Sequence, residues 1–242
     1  MSKANSSLHR IQPRTVGSFS GVLDLEKSNA SSLLNLCDIA EIRLDLIHAE
    51  KPHPNASLWE HLEGFPLLFT ARTIEEGGAI STHAETRMSL LRCTLDAATF
   101  IDIEVASISE MSELLDELTQ RNIPWIASYH DFQKLPSNAA LQHAVQKAKD
   151  AGAYAFKAAA TLETLADLAR LAEFQLEDHG LPVATMGMGP LAPVSRLLCA
   201  QCGSVLNYGY IGHSPTAPGQ WDSSLLKLAI SRLTQITSSN NF

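Results

Sequence analysis

The feature that most constrains this chain is an alternation repeated eight times: a short run with the two-residue spacing of a strand, then a run with the three-to-four-residue spacing of a helix. The strand-like runs are Thr15–Ser20, Asp38–Leu46, Pro66–Arg72, Phe100–Val105, Pro124–Tyr129, Ala153–Ala159, Pro182–Met188 and Ser204–Ile211. Helical spacing follows at Leu23–Leu36, within Pro52–Leu62, and at Ser81–Ala98, Glu110–Arg121, Asn138–Asp150, Thr161–Asp178, Pro193–Gln201 and Asp222–Leu233. Ser81 and Thr161 are the expected N-caps, and Gly152 and Gly180 the stops. Strict strand–helix alternation predicts a parallel sheet wrapped by helices. Eight units in 242 residues match a single closed (β/α)8 TIM barrel, which takes about 250 residues, better than an open doubly wound sheet. Met1–Arg14 is polar, with Ser and Asn prominent, and is expected to be a flexible tail, so that the barrel occupies 15–242.

Composition narrows the partners. A formal net charge of −8, with 18 Lys and Arg against 26 Asp and Glu, argues against nucleic acid or an anionic membrane and leaves small molecules as the expected ligands. No apolar run reaches a membrane span of roughly 20 residues and no secretory signal opens the chain, so a cytoplasmic location is expected. Four cysteines, Cys37, Cys93, Cys199 and Cys202, do not form a disulfide scaffold in a chain of this length. Cys199-Ala-Gln-Cys202 spells C-x-x-C, but it falls inside helical spacing with no second Cys or His pair to complete a metal site.

Two strand runs carry chemistry. In Ala153-Tyr-Ala-Phe-Lys157-Ala-Ala159 the lysine is the one charge among small and apolar neighbours. Burial disfavours an ammonium, so this amine is expected to lose its proton more readily and to act as a nucleophile toward a ketone. In Ile126-Ala-Ser-Tyr-His130-Asp-Phe132, one unit earlier, His130 is the natural proton shuttle beside such an amine. Barrel enzymes gather function at the C-terminal ends of their strands, where Arg43, Arg72, His130, Lys157 and the loop before Gln220 all fall. Alternation predicts Glu41, Arg43 and Asp45 on one strand face and acids along Phe100–Val105, so polar groups accumulate on one side of successive strands. G-x-G-x-x-G, Walker and H-E-x-x-H patterns are absent, so nothing points to a nucleotide, dinucleotide or metalloprotease site.

Set in order, Glu41-Ile-Arg43-Leu-Asp45, Phe69-Thr-Ala-Arg72 with Glu76-Gly-Gly78, Ser128-Tyr-His130-Asp-Phe132, the Lys157 strand, Met186-Gly-Met188 with Ser195-Arg196, and Ala217-Pro-Gly-Gln220 resemble the type I 3-dehydroquinate dehydratases over about Asp38 to Trp221. These are Schiff-base lyases of the shikimate pathway, which leads to chorismate and the aromatic amino acids. The resemblance implies Lys157 as the imine-forming residue, His130 as general acid and base, and Glu76 as the carboxylate that orients the histidine. It implies that Glu41, Arg43 and Arg72 hold ring hydroxyls of 3-dehydroquinate and that Arg196 and Gln220 bind its carboxylate, together with Thr216, which stands where the family commonly has Ser. Glu41 and Arg43 could instead form an internal ion pair that supports the site. No metal or organic cofactor is required by this chemistry, and a homodimer is expected. The runner-up activity is a class I Schiff-base aldolase on the same barrel; outside enzymes, the alternative is an inert barrel that binds a small acid or a partner protein.

Overall fold

The computed structural model describes residues 13–79 and 83–239. Eight parallel strands, β1 (Arg14–Phe19), β2 (Ile39–Arg43), β3 (Leu67–Thr70), β4 (Phe100–Glu104), β5 (Trp125–Asp131), β6 (Ala155–Thr161), β7 (Val183–Met188) and β8 (Leu206–Ile211), form one sheet in the order β7-β6-β5-β4-β3-β2-β1-β8. The first strand pairs with the last along its whole length, from Arg14 opposite Leu206 to Phe19 opposite Ile211. At the remaining seam the Val205 N–H donates to the Val183 carbonyl at 3.2 Å. The result is a nearly closed (β/α)8 barrel, as the alternation predicts.

The helices are α1 (Val22–Lys27), α2 (Ala30–Leu36), α3 (Leu44–Glu50), α4 (Ala84–Arg92), α5 (Ser112–Arg121), α6 (Asn138–Asp150), α7 (Leu165–Leu176), α8 (Ala192–Gln201) and α9 (Ser223–Ser239). One phase of each strand alternation faces them: Ile42, Phe69, Ile101, Ala127 and Phe156 join Leu114, Leu141, Leu171 and Phe174 in the larger apolar core. The other phase faces the barrel axis and changes character along it. Val16, Ile39, Leu68, Phe100, Ile126, Ala184 and Leu206 belong to a second, separate apolar cluster that floors the barrel. Two residues further along β1 to β6 stand Ser18, Glu41, Thr70, Asp102, Ser128 and Lys157, all buried. A rise of about 6.6 Å, two strand residues, thus separates a greasy floor from a polar tier. No helix among the described residues is long and apolar enough to cross a membrane.

Several expected boundaries move. Arg14 opens β1, its N–H donating to the Val205 carbonyl at 3.0 Å, rather than ending a tail. The run expected as one helix from Leu23 breaks at Asn29, whose side chain accepts from the Ser32 N–H while Ser32 returns a hydrogen bond, because a capping box competes with helix continuation. Strand β2 stops at Arg43 and the chain turns at once into α3, so Asp45 lies in a first helical turn and not on the strand face. Pro52–Leu62 holds two 3-10 turns, Ala56–Leu58 and Glu60–Leu62. Ser81 lies outside the described residues, and α4 starts after His83 and ends at Arg92, short of Ala98. Thr161 ends β6, while Thr164, with its own capping box to Asp167, caps α7. The last helix runs beyond Leu233 to Ser239.

Candidate active site

At the carboxyl ends of the strands a cavity of about 460 Å³, part of it open to solvent, is lined by Glu41, Arg43, Arg72, Glu76, His130, Lys157, Arg196, Thr216 and Gln220. All nine residues singled out in the sequence therefore meet in one place, although they come from six of the eight strand–loop units. Ser18, Gly77, Phe132, Ala159, Met186, Met188, Tyr208 and Ala217 complete the wall.

Lys157 rises from the polar tier of β6 and is 4% exposed. Its Nζ lies 3.3 Å from Asp102 Oδ2 and 4.2 Å from the centroid of the Tyr208 ring. Burial pushes the ammonium pKa down, Asp102 pulls it back up, Arg72 lowers it again, and the balance is a shift below the ordinary lysine value. On the neighbouring strand Ser128 stands opposite Lys157, so His130 lies one inward position further toward the mouth. Burial, followed by the positive charges of Arg72, Lys157 and Arg43, holds His130 well below its usual pKa. An imidazole held neutral on one strand and, on the next, an amine that gives up its proton more readily than an ordinary lysine can serve as base and nucleophile.

Glu76 reaches that histidine from the loop after β3. Its Oε2 is 2.8 Å from His130 Nδ1 and accepts the His130 backbone N–H at 2.9 Å. An ionised Glu76 places the ring proton on Nδ1 and leaves Nε2 as the base. The loop is a 3-10 turn, Ile74–Glu76, ended by Gly77 at φ 85°, and a Cβ at Gly77 would run into the Phe132 ring. Glycine therefore lets the turn tuck beneath Phe132 and deliver the carboxylate. Burial raises Glu76 to about 7, against the lowering pull of Arg72.

The arginines are held by acids. Arg72 Nη2 is 2.9 Å from Asp102 Oδ1 and its Nη1 is 3.0 Å from Glu104 Oε1. Arg87 of α4 grips the other oxygen of Glu104 at 2.8 Å. Arg43 pairs with Asp45 through two hydrogen bonds of 2.9 and 2.7 Å, and Asp45 also accepts the Arg72 and Ala79 N–H groups. The internal ion pair thus forms between Arg43 and Asp45. Glu41 is instead held by hydroxyls, from Ser18 and, at 2.8 Å, from Thr70 Oγ1.

Across the cavity Arg196, 2% exposed, sits on α8, with Pro190 and Pro193 in the turns that start it, positions where proline is well tolerated. Its Nη1 donates to the Tyr208 carbonyl at 2.7 Å, its Nε has no hydrogen-bond partner among the described residues, and burial lowers its pKa to about 10. Among the described residues this buried guanidinium meets the Tyr208 carbonyl and, at 3.4 Å, Met186 Sδ, but no carboxylate, an arrangement suited to receiving an anion. Gln220 Oε1 accepts the Thr216 N–H and Oγ1, both at 2.8 Å, which pins the β8 loop.

Tyr208 lines the cavity, and Asp102, Glu104 and Arg87 tie down Lys157 and Arg72 through ion pairs; sequence reasoning gave none of the four a role. The alternating acids of β4 were a visible signal, but nothing in sequence says which basic group each acid meets. Cys199 is buried in α8 and Cys202 follows its end, outside the cavity lining.

A (β/α)8 barrel with a charged cavity at the carboxyl ends of its strands defines the class, a barrel enzyme acting on a small polar molecule. A family model described as type I 3-dehydroquinase matches residues 23–236. The 3-dehydroquinate dehydratase of Methanocella arvoryzae is 32% identical over 208 residues, covering 86% of this chain and 91% of that protein. The 3-dehydroquinate dehydratase of Shouchella clausii is 35% identical over 195 residues, 76% of each chain. Among solved structures, the 3-dehydroquinate dehydratase of Geobacillus kaustophilus superposes with a TM-score of 0.81 at 22% identity, over 92% of this chain and 91% of that one. The chain belongs to the type I 3-dehydroquinase family.

Proposed function

We propose that this protein is a hydro-lyase of the shikimate pathway that converts 3-dehydroquinate to 3-dehydroshikimate through an imine on Lys157. The observation that carries the reading is a single cavity, in a chain of this family, holding a buried amine of lowered pKa and, on the adjacent strand, an imidazole tied to a carboxylate. Lys157 Nζ attacks the C3 ketone and His130 delivers the protons that turn the carbinolamine into a protonated imine and water. His130 then takes the proton from C2, and the electron pair flows into the imine nitrogen to give an enamine. Return of that pair breaks the C1–O bond, His130 protonates the departing hydroxide, and hydrolysis of the imine releases product and the amine. One water is consumed at hydrolysis and two are released, so the net change is loss of one.

Arg196 receives the C1 carboxylate with Gln220 and Thr216, and Glu41, Arg43 and Arg72 define the side that meets the ring hydroxyls. No residue in this sequence of steps needs a metal or organic cofactor. The aldolase alternative is not favoured: both relatives named above are dehydratases, and the end of the cavity formed after β7 and β8 offers a guanidinium, a hydroxyl and an amide suited to a carboxylate. The test is incubation with 3-dehydroquinate and borohydride followed by digestion and mass spectrometry. The expected result is an adduct on Lys157 that is absent from Lys157→Ala; folded protein that forms neither adduct nor enone product would refute the reading.

The cytoplasm is the proposed setting, in keeping with an acidic chain. The proposed assembly is a homodimer, supported by exposed Val194 on α8 and Leu225 and Leu228 on the neighbouring α9, apolar side chains that a second copy would cover. Sedimentation velocity should then give about twice 26.3 kDa, and Leu228→Glu should return the monomer.

A further inference from the structure

The Lys157 nitrogen has two close neighbours to which the mechanism above gives no task. Asp102, on β4, is 2% exposed and its Oδ2 lies 3.3 Å from Nζ. Its other oxygen accepts from Ser128 Oγ at 2.6 Å and meets Arg72 at 2.9 Å, so the carboxylate cannot swing away. Tyr208, on β8, is 4% exposed and presents its ring face to Nζ at 4.2 Å. An aromatic face and a fixed carboxylate share one property: each favours a positive charge at the point they surround. The nitrogen carries that charge twice, as the ammonium and as the protonated imine, and is neutral as the attacking amine and in the enamine.

We propose that Asp102 and the ring face of Tyr208 are the cation-holding wall of the site, stabilising the charged Lys157 nitrogen and above all the protonated imine. This rests on the imine reading of the site and assigns it two further residues. A neutral imine is a poor electron sink, whereas a protonated one draws the electron pair left at C2, so a wall that keeps the proton on nitrogen speeds proton removal by His130. The remaining groups around Lys157 divide by sign. Glu41 from β2 supports the cation, Arg72 from β3 opposes it, and His130 from β5 stays neutral beside it, while β7 contributes Ala184 opposite Lys157 and Met186 in the cavity wall. Asp102 is the carboxylate that reaches hydrogen-bond distance of Nζ.

Two measurements test it. The first needs no substrate: the rate of reductive methylation of Lys157 is followed against pH by mass spectrometry. Asp102→Asn should move its midpoint down by about 1–3 pH units, the shift expected when a close opposite charge is removed. The second measures the fraction of protein trapped by borohydride at equilibrium with 3-dehydroquinate. Asp102→Asn should lower that fraction at least about tenfold, which corresponds to about 1.4 kcal/mol. Tyr208→Phe, which keeps the ring face, should trap like the parent, and Tyr208→Leu should trap several-fold less. The tyrosine pair keeps the idea falsifiable if Asp102→Asn does not fold. Unchanged methylation midpoints and unchanged trapping, or equal losses in Tyr208→Phe and Tyr208→Leu, would overturn the wall. Failure of the parent itself to trap, with the methylation shift present, would instead overturn the dehydratase reading and leave the wall as a property of the amine.

Discussion

At the scale of single residues, opposed pKa shifts do the work. Burial lowers the pKa of Lys157 and of His130 and raises that of Glu76 to about 7, in each case disfavouring the charged form. Lys157→Ala should lower kcat more than about 1,000-fold, since Lys157 is the one lysine among the described residues that lines the cavity. Glu76 sets the acid limb of the pH profile: activity should fall as pH drops through about 7, where its carboxyl takes up a proton and ceases to support a charged His130. In Glu76→Gln that limb should vanish from the profile while the rate falls at every pH. The same residue makes a stability prediction of opposite sense. Because the folded pKa is raised from 4.5 to about 7, the folded state binds the extra proton between those values, and its stability declines as pH rises across that window. Glu76→Gln should therefore gain about 3 kcal/mol of stability at pH 8 and nothing near pH 4, measured by urea unfolding.

At the scale of elements, loops and helix ends place the chemistry. The 3-10 turn Ile74–Glu76 and Gly77 carry Glu76 to His130, and Gly77→Ala combines a positive φ of 85° with a collision against Phe132. That variant should lose activity and show the same altered acid limb as Glu76→Gln, because the turn, and with it the carboxylate, is displaced. Asn29 performs a structural task by separating α1 from α2. Asn29→Ala should cost about 1 kcal/mol in thermal or urea unfolding with kcat unchanged, since the capping box is remote from the cavity. The Arg87–Glu104–Arg72 relay shows how a surface helix supports the interior: α4 holds the acid that holds the arginine.

At the scale of the whole molecule, the barrel is completed when its first strand joins its last. Deleting residues through Phe19 would leave β2 and β8 with open edges and remove Ser18 from the polar tier; the expected outcome is a protein that aggregates or loses its cooperative urea transition. Much of this was legible beforehand. Strand–helix alternation and the inward phase of each strand are local properties, because side-chain direction repeats every two residues in a strand whatever lies around it. Lys157 and His130 could be read from polar groups interrupting apolar strands, and Glu76 and Arg196 from the family resemblance. Asp45 and Thr161 were misplaced because a residue at a strand end satisfies both periods, and only packing decides whether the chain turns. The pairings were out of reach for a different reason. Which acid meets Arg72 and that Tyr208 lies against Lys157 depend on strand stagger around a closed barrel, and that Arg43 closes on Asp45 depends on the chain turning into α3 directly after β2. By itself the sequence determined the eight units, the polar tier and the chemical repertoire; tertiary structure alone decided the partners, because electrostatic contacts form across distances in space that the order of residues along a chain does not encode.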